Sequence, residues 1–230
     1  PLVSVPISGQ AQITASGRGD FSAPIIEGEL SVEDLSLGGF RAGHVARATA
    51  RFVPLVVDLS DVLVRPPPTP GEASLQSALA VPRMRLDFEA GADIAVDAEI
   101  DTRVERGLRL KDFLRVFQSV EDLPPDVPRK TDPMFETFDG WARGTASVRY
   151  ILGGREDPCQ TGAVHVRTKM QIDRPRLLGQ KFVRGAADVD FHWEDTEAGA
   201  AGMHIDVASA TLHTESGAIF SSLAVRRGGV

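Results

Sequence analysis

Cysteine is almost missing from these 230 residues: Cys159 stands alone, so no internal disulfide can staple the fold. It lies beside Pro158 with no base partner in reach of the sequence pattern, which leaves thiol catalysis without a mechanism. Asparagine is absent, and lysine occurs only at 111, 130, 169 and 181. The surplus of Arg and Ala over these residues reads as the signature of a GC-rich genome, not of a site. Positive charge is in deficit, 25 Lys and Arg against 32 Asp and Glu for a net charge of −7. The basic residues are also dispersed, which excludes a groove built to displace counterions from nucleic-acid phosphates. No apolar run approaches the ~18 residues of a membrane-spanning helix, and no export-signal pattern opens the chain. No Gly-x-Ser-x-Gly elbow, phosphate loop or dinucleotide fingerprint stands in a strand-to-helix context.

What is present is alternation. Met84, Leu86, Phe88 and Ala90 are apolar while Arg83, Arg85, Asp87 and Glu89 are charged. Ala92, Ile94, Val96, Ala98 and Ile100 continue the phase against Asp93, Asp97, Glu99 and Asp101. The same period of two runs through Ala46, Ala48, Ala50 and Phe52, through Val164, Val166, Met170 and Ile172, through Val189, Phe191 and Trp193, and through Met203, Ile205 and Val207. A period of two puts each set on one face of a strand, so these are half-buried antiparallel strands in an all-β chain.

Several of these segments run about ten residues, near 33 Å, where five or six is usual. The Gly-rich stretches at 17–20, 38–39, 153–154 and 199–202 read as the turns between them. Long strands, short turns and an apolar face in constant phase predict a meander that curls around that face. The face is lightly built: aromatics are 6% of the chain, and Ala46, Ala48, Ala92 and Ala98 hold inward positions. Two segments break the rhythm. Val64 to Gly71, with Pro66, Pro67, Pro68 and Pro70, reads as an extended polyproline-like linker. Leu110, Phe113, Leu114 and Phe117 fall at helical spacing, an amphipathic helix of about three turns stopped by Pro124 and Pro125. Such a helix caps a sheet end or gates an apolar channel.

Candidate polar sites are weak. His192, Glu194 and Asp195 with Asp188 and Asp190 resemble a metal cluster only if a neighbouring strand adds ligands. The carboxylate stripe Asp93, Asp97, Glu99 and Asp101 has no oxygen-cage turn, and Arg18-Gly19-Asp20 reads as a turn between strands. Catalysis is not expected, and no metal or cofactor is assigned.

Ala23-Pro24-Ile25-Ile26-Glu27 followed by Gly28-Glu29-Leu30-Ser31-Val32-Glu33-Asp34-Leu35 resembles the small-Pro-x-x-x-Gly-x-Leu repeats of TamB and the wider AsmA-like group. Gly38-Gly39-Phe40 and Arg176-Leu177-Leu178-Gly179, each leading into an alternating strand, fit the same grammar over about half the chain. The helix and Pro-rich loop between Leu108 and Pro133 depart from it. The resemblance implies a long antiparallel sheet bent into a U-shaped groove with an apolar interior. Residues 1–107 and 140–230 would form one groove domain, and 108–139 a helix and loop insertion. It implies a non-enzymatic fragment of a periplasmic protein of a Gram-negative bacterium, anchored in the inner membrane outside this stretch. Such a protein carries phospholipid acyl chains towards the outer membrane or, with an outer-membrane barrel partner, supports protein assembly.

On that reading the acyl chains sit against Met84, Leu86, Phe88, Ile94, Val96, Ile100, Val164, Val166, Met170, Ile172, Val189, Phe191, Met203, Ile205 and Val207. Each buried methylene contributes about 0.8 kcal/mol, so a trough can hold lipid without a headgroup site. The helix residues Leu110, Phe113, Leu114 and Phe117 would form its gate. The rivals are a filled β-sandwich, a chaperone binding unfolded barrel strands at an open sheet edge, and a polysaccharide-active enzyme. The last lacks the aromatics, with two Trp and one Tyr in the chain.

Overall fold

The computed structural model describes residues 7–20, 22–37, 40–67, 77–88, 94–116, 137–152, 160–177, 179–196 and 202–227. Its elements are β1 (Ile7–Arg18), β2 (Ile25–Leu37), β3 (Phe40–Val53), β4 (Val56–Arg65), β5 (Leu79–Asp87), β6 (Ile94–Asp101), β7 (Leu108–Arg109), α1 (Leu110–Val116), β8 (Asp139–Leu152), β9 (Gln160–Leu177), β10 (Gln180–Lys181), β11 (Arg184–Thr196), β12 (Gly202–His213) and β13 (Ala218–Arg227). All strands belong to one antiparallel sheet of order β1-β2-β3-β4-β5-β6-β8-β9-β11-β12-β13, with β7 and β10 as short additions to β8 and β9. The sheet is curled but not closed into a barrel. Among the described residues no helix is long and apolar enough to cross a membrane.

Opposed residues of antiparallel strands share a face, so the register converts alternation into ladders running across the sheet. One passes from Ile26 through Phe52, Val57, Leu86, Val96, Tyr150 and Val164 to the Trp193 and Met203 positions. A second passes from Ala50 through Leu59, Met84, Ala98, Val148, Val166 and Phe191 to Ile205. The opposite face carries Glu27, Arg51, Asp58, Arg85, Asp97 and Arg149 in register, acid and base in alternation, and then His165 and His192.

Bulges bend this sheet. Asp34 (φ 52°), Asp61 (φ 53°) and Arg174 (φ 48°) are left-handed residues inside β2, β4 and β9. At Asp34 and Asp61 the ladders to β3 shift register, and an extra residue of this kind kinks a strand and increases its coil. Val45 and Ala48 on β3, Val62 on β4, Val81 on β5 and Ala98 on β6 form one buried cluster across four consecutive strands, joined by Leu30 from β2 and Val148 from β8. A flat single-layer sheet would leave these side chains in water; here the apolar face packs on itself.

The helix closes one end of the curl. It touches β7 and β8, which pair with each other, and also β3, which neighbours neither of them in the sheet. Its first turn is anchored: Asp112 is fully buried and accepts a 2.5 Å hydrogen bond from the Ser77 hydroxyl, while the Arg109 amide donates to Ser77 Oγ at 2.9 Å. The Ala78 amide reaches the Gly107 carbonyl at 3.1 Å, and Arg65 pairs with Glu105 at 2.7 Å, so the 102–109 loop is tied to β4 and to the entry of β5.

Local differences from expectation have physical causes. The helix begins at Leu110 behind the short strand β7, and the described part is seven residues, about two turns. Val64 and Arg65 end β4 in place of starting the linker; Pro66 beyond them is buried, and residues 68–71 of the expected linker lie outside the described residues. Gly17 and Arg18 belong to β1, so that turn starts at Gly19, whose φ of 98° suits a glycine. The expected turns at 38–39 and 153–154 lie outside the described residues, as do 199–201; Gly202 opens β12.

Candidate functional site

The apolar face is a trough with a gradient along its length. At the α1 end, Val45, Ala48 and Val62 are 3–5% exposed, and Leu108 and Ala142 are buried where β7 meets β8. At the opposite end, Ile26, Phe52 and Phe88 are 41%, 38% and 41% exposed. The trough is therefore filled by its own walls at the capped end and open at the other.

Met84, Leu86, Val96, Ile100, Val164, Val166, Met170, Ile172, Val189, Phe191 and Val207 are all half-buried, and the register places them on this face. Phe88 stands just past the end of β5, its amide donating to the Leu55 carbonyl at 2.8 Å, at the open end. Ile94, Met203 and Ile205 are placed on the same ladders by register alone. On the helix, Leu110 and Phe113 are half-buried, Leu114 is placed within α1, and Phe117 lies outside the described residues.

Residues not singled out by alternation share the face: Val57, Leu59, Val62 and Val64 of β4, opposed to Leu86, Met84, Val81 and Leu79. The Asp61 bulge breaks the period of this strand, which hid it. Val45, not Ala46, enters the core, because the β3–β4 register shifts between Val45 and Arg47 and reverses the phase. Ala92, another expected inward alanine, lies outside the described residues.

The charged face is organised by pairs. Arg51 lies 3.4 Å from Glu27 and 3.9 Å from Asp58, Arg85 lies 3.7 Å from Asp58, and Arg149 lies 3.8 Å from Asp97. His165 Nε2 is 2.7 Å from Asp190 Oδ1 while Arg167 Nε donates to Oδ2 at 2.9 Å. Partial burial pushes the Asp190 carboxyl up, and the His165 and Arg167 bonds and charges outweigh it, leaving the group below its ordinary value. The His165 and His192 rings meet edge to face, centroids 5.6 Å apart. Among the described residues no group of three or more His, Cys, Asp or Glu is arranged to hold a metal ion.

Comparison with protein-family models, with curated proteins and with solved structures finds no match. The functional reading rests on the trough itself. Its lining is mainly aliphatic and aromatic, with the Tyr150 phenol in the first ladder and Thr168 between Ala146 and Val189. Such a surface can exclude water and solvate hydrocarbon.

Proposed function

We propose that the trough carries phospholipid acyl chains, as a groove segment of a TamB-like, AsmA-related periplasmic protein that moves lipid between two membranes. The observation that carries this reading is the unbroken apolar ladder from Ile26 across β3, β4, β5, β6 and β8 to Val164, continuing in register to Met203. A ladder of this kind offers apolar contacts strand after strand, so a chain can slide past the Tyr150 ring without meeting a charged step. The open end, around Ile26, Phe52 and Phe88, admits the chain; the filled end, under α1, stops it or turns it along the sheet towards β9–β13.

The first test is native mass spectrometry of the purified chain, with lipid extraction from the same sample. Phospholipid bound in proportion to protein is the expected result; a stable, folded, lipid-free protein that also takes up no added phospholipid overturns it. Val96→Asp and Phe191→Asp each put an unpaired charge on the ladder and are expected to abolish loading. Retained loading in both would mean that the chains lie elsewhere.

A second reading is favoured by the sheet edges. Among the described residues, strands β1 and β13 have one neighbour each, and Ile13 on β1 and Ile219 and Phe220 on β13 are 65%, 54% and 75% exposed. An open edge of this kind adds an extended segment of an unfolded outer-membrane barrel protein through backbone hydrogen bonds. Binding of a barrel-strand peptide that Phe220→Lys weakens, and that added lipid leaves unchanged, would separate it from the lipid reading.

A further inference from the structure

A large cleft among the described residues lies outside the trough. It has a volume of about 1120 Å³ and lies where β8 begins and β9 ends, with β10, the following turn and the 102–109 loop as its other walls. Trp141 and Asp173 are register partners, as are Arg143 and Gln171, and these positions belong to the charged side of the sheet. The cleft is therefore separate from the apolar ladders.

Its walls depart from the rest of this acidic chain. Acidic groups on the lining are already engaged: Asp139 is clamped by the Arg109 fork at 2.8 and 2.6 Å, Glu105 by Arg65 at 2.7 Å, and Asp173 lies 3.8 Å from Arg174. Arg106, Arg143, Arg176 and Lys181 also line the cleft, and none of them has an ion-pair partner among the described residues. Arg143 donates only to the Arg103 carbonyl, at 3.2 Å. A chain with net charge −7 thus gathers around one concavity four cations that have no ion-pair partner among the described residues. Like charges brought together in this way repel, and the repulsion is relieved when an anion settles among them. Trp141 and Phe182, both half-buried, add an apolar wall beside the charges.

We propose that this cleft binds a phosphate-bearing ligand with at least two negative charges, its flat or apolar portion against Trp141 and Phe182. Arginine forks match phosphate oxygens two at a time, and several cations around one concavity select a multiply charged group over a lone carboxylate. Such a ligand is either a free phosphorylated solute or the headgroup of an anionic lipid. The site does not depend on the lipid reading of the trough, because it uses other residues on the other side of the sheet.

The test uses the whole 230-residue chain with two probes, inorganic pyrophosphate and vesicles of phosphatidylcholine with or without phosphatidylglycerol. Pyrophosphate is titrated by calorimetry and by Trp fluorescence, with Trp141→Phe to identify the reporter; vesicles are followed by co-flotation. The paired variant Arg143→Ala/Lys181→Ala removes two exposed cations from the cleft. Arg149→Ala/Lys169→Ala removes the same charge elsewhere on that face, and circular dichroism checks both folds. Losing two charge-assisted contacts is expected to weaken binding at least about tenfold in the cleft variant, with little change in the control. That pattern with pyrophosphate assigns a free phosphorylated ligand; the same pattern only with phosphatidylglycerol vesicles assigns a headgroup. Binding to neither probe, or equal weakening in both variants, overturns the proposal.

Discussion

At the scale of single residues, the end of the sheet near α1 depends on a few positions that tolerate no replacement. Gly144 sits in β8 opposite Met170, and a Cβ there would land on the Lys169 carbonyl oxygen. Its amide donates to Thr102 Oγ1 at 2.9 Å and its carbonyl accepts from the Thr102 amide at 2.9 Å, so the strand is also held from the other side. Gly144→Ala should therefore push β8 and β9 apart and lower stability by about 2 kcal/mol, measurable as a shift in the urea midpoint. Arg109 and Asp139 are the other such pair. Burial raises the Asp139 carboxyl, but the Arg109 fork, the Gly140 amide and the Lys111 charge together hold it below the ordinary carboxylate range. A depressed folded value means that its stabilisation is complete above the unfolded value, about 4, and is lost as pH falls through the lower folded one. Asp139→Asn should flatten that part of the acid-unfolding curve. It should also lower stability at pH 7 by about 3 kcal/mol, because Arg109, 9% exposed, is left without its carboxylate.

At the scale of elements, α1 is tied in place by its buried Asp112–Ser77–Arg109 contacts, and any movement of the helix away from the sheet must break them. Asp112→Ala is expected to lower the melting temperature and to raise hydrogen exchange at Leu108 and Ala142 before the rest of the sheet. Unchanged protection there would show that the cap is not held by this contact. The strands themselves separate into those that alternation reveals and those that it hides. β6, β8, β9 and β11 keep one phase over the residues that line the trough, and β5 keeps it from Leu86 to Met84, so Met84, Val96, Val166 and Phe191 were legible as inward positions. β4 was not, because Asp61 turns left-handed and moves the apolar set from Val57 and Leu59 to Val62 and Val64. The cleft near Trp141 was equally hidden, since its cations come from separate stretches of the chain that only the fold assembles. A β-branched residue at Asp61 would improve strand propensity on paper. Asp61→Val should nevertheless cost about 1–2 kcal/mol by thermal or denaturant melting, because φ is 53° there.

At the scale of the whole molecule, the order of strands in the sheet is their order along the chain, apart from the short β7 and β10. What alternation could not convey is that the buried apolar cluster lies on β3 to β6, with β2 and β8 packed against it, while β9, β11, β12 and β13 contribute no member to it among the described residues. That difference has a mechanical consequence. Pulled by its two ends, the molecule should peel inward from its edge strands β13 and β1, each strand outside the cluster releasing its own length in a small separate step as it leaves one neighbour. The β2–β8 portion, locked by side chains shared across several strands and by the helix bridging β3 and β8, should then rupture in a single larger event. An optical trap would read this as a short staircase followed by one tall peak; a single peak from the intact state would show that the two halves yield together.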